Sequence, residues 1–155
     1  MAELERRSLH FESVDEILAE VERLVQRQVR TSGRYSFAQI LEHLARVLDI
    51  VTGHRPGPHV PLVLRGAARL ARSLVINRPM KPGLKLPSAA QAAFWPEDSV
   101  ELSQSLPHFR EALDRFVHAE SLPTHPVFGD LTRVQHERLQ CRHCELHLSF
   151  VHPND

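Results

Sequence analysis

The strongest constraint on the fold of this chain is the helical spacing of its apolar residues. Amphipathic patterns occupy 13–29, 36–51, 102–117 and 132–151, and a looser one occupies 61–76. In the first stretch the apolar positions form one face of a helix; they are Val14, Ile17, Leu18, Val21, Leu24 and Val25. Nowhere does the alternation typical of a β-strand persist. The pattern therefore predicts an all-α bundle of four or five helices.

The helix boundaries and connections are also visible in the sequence. Capping boxes, in which a serine or threonine is followed three residues later by glutamate or glutamine, are Ser13 with Glu16, Ser36 with Gln39 and Thr132 with Gln135. The second helix is predicted to end near Gly53, and Pro107 to lie in or near the first turn of the fourth. The connections 54–61 and 77–98 are rich in proline. Long connections of this kind are usually functional or packed against the domain.

Length, charge and cysteine content limit the class of protein. The 155 residues suit a single domain, 1–155, with one core. Nineteen basic and nineteen acidic residues give no net charge, so no basic footprint indicates nucleic acid or an acidic membrane surface as a partner. There is no leader-like apolar segment and no run approaching the roughly 18 residues of a membrane span. Two cysteines suit a reducing compartment, so we expect a soluble cytoplasmic protein.

The segment CRHCELHLSF, residues 141–150, concentrates two cysteines and two histidines. It could be a metal site, a redox pair or an ordinary histidine-rich helix. At about 100° per residue, His143 and His147 lie about 40° apart on a helix and could bind the same ion. Cys144 lies about 60° from His147, whereas Cys141 lies about 160° from His143 and points largely away. The four side chains therefore do not converge as a Cys2His2 site.

The histidine spacing alone does not prove a metal site. With eleven histidines in the chain, roughly 0.8 pairs of this spacing are expected by chance. The two imidazoles share a helix face with Leu139, Leu146 and Phe150, so they are expected to point into the bundle. His43 falls on the apolar side of the second helix and is a candidate third ligand. The alternative is that His43 is a core histidine satisfied by hydrogen bonds.

Several ordered motifs extend the argument beyond these three residues. RRSLHFES, YSFAQILEHLARVLD, PGLKLPSAA, HPVFGDLT and RHCELHLSF occur at compatible spacings along nearly the whole chain. Together they resemble the DinB and YfiT-like metalloenzymes, and more closely a subgroup of unknown function whose members end in a segment like RHCELHLSF. This resemblance implies an up-and-down four-helix bundle with long connecting loops and a short extra helix, often dimeric. It also implies a divalent metal held by three histidines.

Residue by residue, the resemblance assigns the ligands to His43 in ILEHLA and to His143 and His147 in RHCELHLSF. This chain departs from its relatives at Cys141 and Cys144, and at His136, where relatives often carry tryptophan. Three imidazoles leave a coordination position open, which is typical of catalytic sites. Zinc, nickel or iron would suit such ligands and would lower the pKa of bound water or a bound thiol.

We therefore expect a homodimeric, metal-dependent enzyme, either a thiol S-transferase or a hydrolase. Its substrate would be a small molecule, with a low-molecular-weight thiol as a candidate. The alternative is a non-catalytic metal-binding or structural dimeric bundle. A CxxC redox protein is a third interpretation, but the motif lies in mid-helix with no preceding strand and so lacks the usual setting for a reactive thiol.

Three further residues, His125, Trp95 and Cys144, are candidates for the surroundings of the site. His125 is interpreted as part of a structural turn, with an acid, base or ligand-orienting role as the alternative. Trp95 is predicted to anchor the long loop, or to line a pocket, and Cys144 is a candidate neighbour of the ligands. His136 lies about 10 Å from His143 along the helix, too far to share an ion, and is predicted to be a surface or packing residue. No special role is predicted for His54, His59, His108, His118 and His152.

Overall fold

The computed structural model describes residues 5–154; residues 1–4 and 155 of the predicted domain lie outside that range. Within it the chain is mostly helical, as the apolar spacing predicted. The helices are α1 (Val14–Val25), α2 (Phe37–Val51), α3 (Leu62–Asn77), α4 (Ser88–Phe94), α5 (Leu102–His118) and α6 (Arg133–Leu148). Two short strands, β1 (Val29–Thr31) and β2 (Val151–Pro153), pair antiparallel.

Side-chain hydrogen bonds cap the N-termini of α1, α2 and α6. Ser36 and Gln39 form a complete capping box at the start of α2, and Thr132 and Gln135 form another at the start of α6. At α1, Ser13 accepts the backbone N–H of Glu16, but the Glu16 carboxylate accepts the N–H of Glu12 instead of that of Ser13. The predicted box at α1 is thus only half formed. Both complete boxes satisfy N–H groups that have no partner inside the helix.

α2 packs along α5, and α6 contacts α1, α2 and α3. Four of these helices, α1, α2, α5 and α6, supply the helical residues of the hydrophobic core. Their fully buried apolar side chains form one cluster, which includes Ile17, Val21, Leu24, Leu41, Leu44, Leu48, Phe109, Phe116 and Leu148. α3 contributes only one buried residue, Ile76. The other helices therefore carry the core, and α3 lies at its edge.

The two strands correct the predicted extent of the first and last helices. The last helix was expected to reach about Val151, but α6 ends at Leu148 and β2 follows; likewise β1 occupies the end of the stretch 13–29. Segments of three residues are too short to display a period of two, so the sequence pattern could not reveal them. The pairing of Arg30 with His152 fixes the register and ties the C-terminus to the α1–α2 connection.

Two further details concern the connections. Pro107 lies inside α5, beyond its first turn, and its missing N–H removes one helical hydrogen bond. The connection 77–98 contains α4, so this proline-rich segment is folded in part. No helix within residues 5–154 is long and apolar enough to cross a membrane.

Candidate metal centre

Three histidines from two helices meet in this structure. His43 comes from the middle of α2, while His143 and His147 lie one turn apart on α6. The Nε2 atom of His43 is 3.1 Å from the Nε2 atom of each of the other two. One ligand atom from each residue lies within 4.8 Å of the others. The fold therefore brings together the three side chains that the sequence selected as metal ligands.

The proton on His43 is located by its neighbours. Its Nδ1 atom lies 3.0 Å from the carbonyl oxygen of Phe94. A carbonyl only accepts hydrogen bonds, so Nδ1 carries the proton and the neutral ring presents a lone pair at Nε2. The indole of Trp95 stacks on the same imidazole, with ring centroids 3.9 Å apart and planes inclined by 4°. Both contacts orient Nε2 toward the two histidines of α6.

The surroundings keep all three imidazoles neutral. Burial lowers the pKa of His143 to about 4. Burial, followed by the charge of His143, also holds the pKa of His43 and His147 well below the usual value. Metal binding requires deprotonated imidazole nitrogens, so near neutral pH none of the three ligands would first have to lose a proton.

The spacing of the donors fits a transition metal. With metal–nitrogen bonds of 2.0–2.1 Å, tetrahedral geometry separates two donors by about 3.3 Å, close to the 3.1 Å that separates Nε2 of His43 from Nε2 of His143 and from Nε2 of His147. His43 is buried, whereas His143 and His147 are partly exposed. The prediction that both α6 imidazoles face the bundle interior is therefore only partly met.

Neither cysteine belongs to the group of ligands. Cys141 and Cys144 are free, buried and part of the apolar core. Burial raises the pKa of Cys141 to about 11 and also raises the pKa of Cys144. Both thiols are therefore protonated near neutral pH. The CxxC redox interpretation required exposed, reactive cysteines, and these are neither.

His125 closes the turn that precedes α6. Its Nδ1 atom accepts the backbone N–H groups of Val127 and Phe128, both at 3.1 Å, so a neutral His125 carries its proton on Nε2. Burial, then the charges of His136 and His143, lowers its pKa to about 4. His125 thus combines the predicted turn geometry with a buried imidazole that is electrostatically coupled to a candidate ligand.

His136 is buried, so it belongs to the packing alternative of its prediction and not to the surface one. Its ring centroid lies 6.1 Å from that of His125. Its Nδ1 atom has no hydrogen-bond partner within the described chain. Burial, followed by the charge of Arg133, lowers its pKa.

His108 has a defined role that the sequence analysis missed. Its two ring nitrogens lie 2.8 Å from Glu42 and 2.8 Å from Asp49, so it joins α5 to α2. Arg115 also reaches Asp49 at 2.6 Å, and Arg46 reaches Glu42 at 2.9 Å. Burial opposes protonation of His108, but the hydrogen bonds to the two carboxylates outweigh it and raise the pKa. The sequence signal for this contact was a pair of acidic residues seven positions apart on α2, Glu42 and Asp49, and a pair of basic ones at the same spacing on α5, His108 and Arg115.

A second polar cluster fixes α6 to the start of the chain. Glu145 accepts the backbone N–H of Phe11 at 2.7 Å, and Arg142 donates to the carbonyl oxygen of Phe11 at 2.6 Å. Arg142 and Glu145 also contact each other at 3.0 Å. These residues alternate with the two histidines along α6, so the clamp sets the position of the turn that carries the candidate ligands.

The fold and the site define a mostly helical protein with a three-histidine group that could hold a metal ion. The chain belongs to the family described as "Protein of unknown function (DUF1569)", whose model matches residues 3–154. No curated protein and no solved structure matches the chain significantly.

Proposed function

We propose that this protein is a metal-dependent enzyme of the DinB and YfiT-like superfamily that acts on a small molecule. The observation that carries the proposal is the convergence of three neutral imidazoles from helices about a hundred residues apart, with Nε2 atoms 3.1 Å from that of His43. A metal ion between the rings would accept the Nε2 lone pairs that three neutral imidazoles can turn toward one another.

The proposed architecture is the four-helix bundle of that superfamily. α1, α2, α5 and α6 supply the helical part of the core cluster, so they would be the four helices of the bundle. α3 and the short α4 would be additions within the connection between the second and third of these. In this arrangement, the site lies between the second and the last bundle helices, as in the ligand pattern that the resemblance implies.

The donor set supports catalysis more than a structural role. The group consists of three donors within the described chain, and catalytic sites typically combine three protein ligands with an open position. Zinc, nickel or iron suits imidazole ligands, and such an ion supplies Lewis acidity that makes water or a thiol nucleophilic near neutral pH. The non-catalytic metal-binding bundle is the alternative, and it would need a fourth protein donor.

The chain's own residues would orient the site and handle protons. Phe94 holds the Nδ1 proton of His43 through its carbonyl oxygen. The partly exposed side of His143 and His147 would be where a small substrate binds, and we propose a low-molecular-weight thiol or a hydrolysable ester. His125 is the candidate hydrogen-bond donor to a bound substrate, through its Nε2–H, because its Nδ1 is occupied by two backbone N–H groups.

A homodimer is part of the proposal, with the outer face of α3 as its interface. Five of the eight exposed large hydrophobic residues lie on this helix: Leu62, Val63, Leu64, Leu70 and Leu74. Arg69 lies against Gly129, and Arg72 donates to the carbonyl of Asp130, so both turn away from that face. A neutral apolar face is self-complementary, as a two-fold interface requires. Five large exposed apolar side chains could form the apolar centre of an interface that buries about 800 Å² on each partner.

The function is tested by activity of the metal-loaded protein. Zinc-loaded protein would be incubated with a low-molecular-weight thiol and an aryl halide, and separately with an activated ester. We expect zinc-dependent turnover of one substrate pair, lost in His147→Ala and kept in His118→Ala, which changes an exposed histidine on α5. Equal rates with and without zinc, or equal rates in the two variants, would contradict the proposed enzyme and favour the non-catalytic bundle.

A further inference from the structure

The segment between α3 and α5, residues 78–101, touches the rest of the chain at few places. Most of its side chains are exposed, and Pro96 is its one buried residue. Its packing against α2 runs through α4 and through Trp95, which follows it. We call residues 78–101 the α4 segment. The position of this segment depends on a small set of contacts, and two of the closest involve His43.

Both contacts of the α4 segment with His43 engage the imidazole ring itself. The Phe94 carbonyl accepts the Nδ1 proton at 3.0 Å, and the Trp95 indole covers one face of the ring at 3.9 Å. The opposite face of the indole stacks on Tyr35, with centroids 3.7 Å apart. Gln91 of α4 donates to the Tyr35 hydroxyl at 3.3 Å. A candidate ligand is therefore also the anchor of the segment.

A cation at Nε2 of His43 would affect these contacts directly. Withdrawal of electron density from the ring makes the Nδ1 proton a stronger donor, so the bond to Phe94 becomes stronger. In turn, a ring already fixed by Phe94 and Trp95 loses less freedom when it binds the ion. Two binding events that stabilise each other do so by the same factor in both directions.

From this geometry we propose that docking of the α4 segment is coupled to occupancy of the three-histidine site, with Trp95 as the positioning residue. The inference rests on the proposed metal site but not on the proposed reaction. It gives the segment a regulatory role, because the same contacts that hold it in place raise the affinity for the ion. A merely structural Trp95 would pack equally well with and without the ion.

The sequence offers an unusually direct probe of this segment. Lys81 and Lys85 are the only lysines of the chain, and both lie in the α4 segment. A lysine-specific protease can therefore cut the chain only within this segment, after Lys81 or after Lys85. The cleavage rate there reports how often the segment leaves its docked position.

The experiment compares lysine-specific proteolysis of metal-stripped protein before and after addition of one equivalent of zinc. We expect zinc to slow cleavage of the parent several-fold. In Trp95→Ala we expect fast cleavage that zinc barely changes, together with zinc affinity lower by about 10–100-fold. Trp95→Phe, which keeps an aromatic face, should restore most of the protection and the affinity. Circular dichroism of each variant checks that the helices are intact.

Zinc titration calorimetry on the same samples separates the two ways in which the account could fail. Parent protein that binds no zinc would overturn the metal site and this inference with it. Parent protein that binds zinc with unchanged cleavage, or Trp95→Ala with parental affinity, would overturn the coupling while leaving the metal site intact. The emission of Trp95, the only tryptophan, provides a second readout. It should change on zinc addition to the parent and not in His43→Ala.

Discussion

Replacement of His108 by alanine tests the charged contact between α2 and α5. The protonated imidazole donates one hydrogen bond to Glu42 and one to Asp49, both at 2.8 Å. Alanine removes both bonds at once. The carboxylates keep other partners, Arg46 for Glu42 and Arg115 for Asp49, so neither is left as an isolated buried charge.

The magnitude follows from these contacts. One hydrogen bond to a charged group contributes about 1.5–3 kcal/mol to stability. Two such bonds would contribute about twice this amount if the imidazole were fully buried. The His108 side chain is 29% exposed, and solvent weakens ion pairs of this kind. We therefore expect His108→Ala to lower the free energy of unfolding by about 2–4 kcal/mol near pH 6. The control His118→Ala, at a side chain 73% exposed on the same helix, should cost less than about 0.5 kcal/mol.

The pH dependence gives the prediction its sign. The pKa of His108 is raised in the folded protein because the two carboxylate hydrogen bonds outweigh burial. The stabilisation is therefore fully present below the unfolded pKa of about 6.5 and is lost as the pH rises through the folded pKa. The cost of the substitution should be largest near pH 6 and smaller near pH 9. Subtraction of the parent at each pH isolates His108, since the other histidines titrate in both proteins.

Urea denaturation followed by circular dichroism at the two pH values measures both quantities. A cost of His108→Ala no larger than that of His118→Ala at pH 6 would refute this role of His108. A difference between variant and parent that grows as the pH rises would refute it too. The variant His108→Gln can still donate a hydrogen bond to one carboxylate, so it should lose less stability than His108→Ala.

Two further predictions concern the cysteines and the outer face of α3. Cys141 and Cys144 should react with a thiol reagent slowly in the folded protein and fully in denaturant, because both are buried and their pKa values are raised; rapid native labelling would contradict the packing. Sedimentation equilibrium should give a dimer for the parent, a monomer for Leu70→Glu, whose side chain is 90% exposed on α3, and a dimer for the control Val134→Glu, exposed on α6. A monomeric parent, or a dimeric Leu70→Glu, would rule out this interface.

The sequence predicted the features that arise from local patterns. Apolar spacing gave the helices, and two of the three capping boxes formed as expected because their hydrogen bonds close within four residues. Helical geometry also separated His143 and His147 from Cys141. The helical pattern could not decide the role of His43, because a residue on the apolar side of α2 could be either a core histidine or a ligand. Only the packing of α2 near α6 brings His43 to the other two histidines.

The features that the sequence missed depend on tertiary contacts. β1 and β2 form by pairing between residues about 120 positions apart. The sequence around each strand has no periodicity that would predict it. The role of Glu16 changed because a nearer N–H, that of Glu12, was available to its carboxylate. The stacking of Trp95 on His43 likewise depends on how the 78–101 connection returns to α2, which its proline-rich sequence does not specify.

The central claim is that His43, His143 and His147 together hold one divalent metal ion. Elemental analysis by mass spectrometry of protein purified with zinc supplied, then desalted, tests it most directly. The account predicts about one equivalent of metal per chain in the parent and in His118→Ala, and loss of it in His43→Ala, His143→Ala and His147→Ala, because three ligands are the minimum for a tight site here. A metal-free parent, or full metal retention in a folded His43→Ala variant, would contradict it.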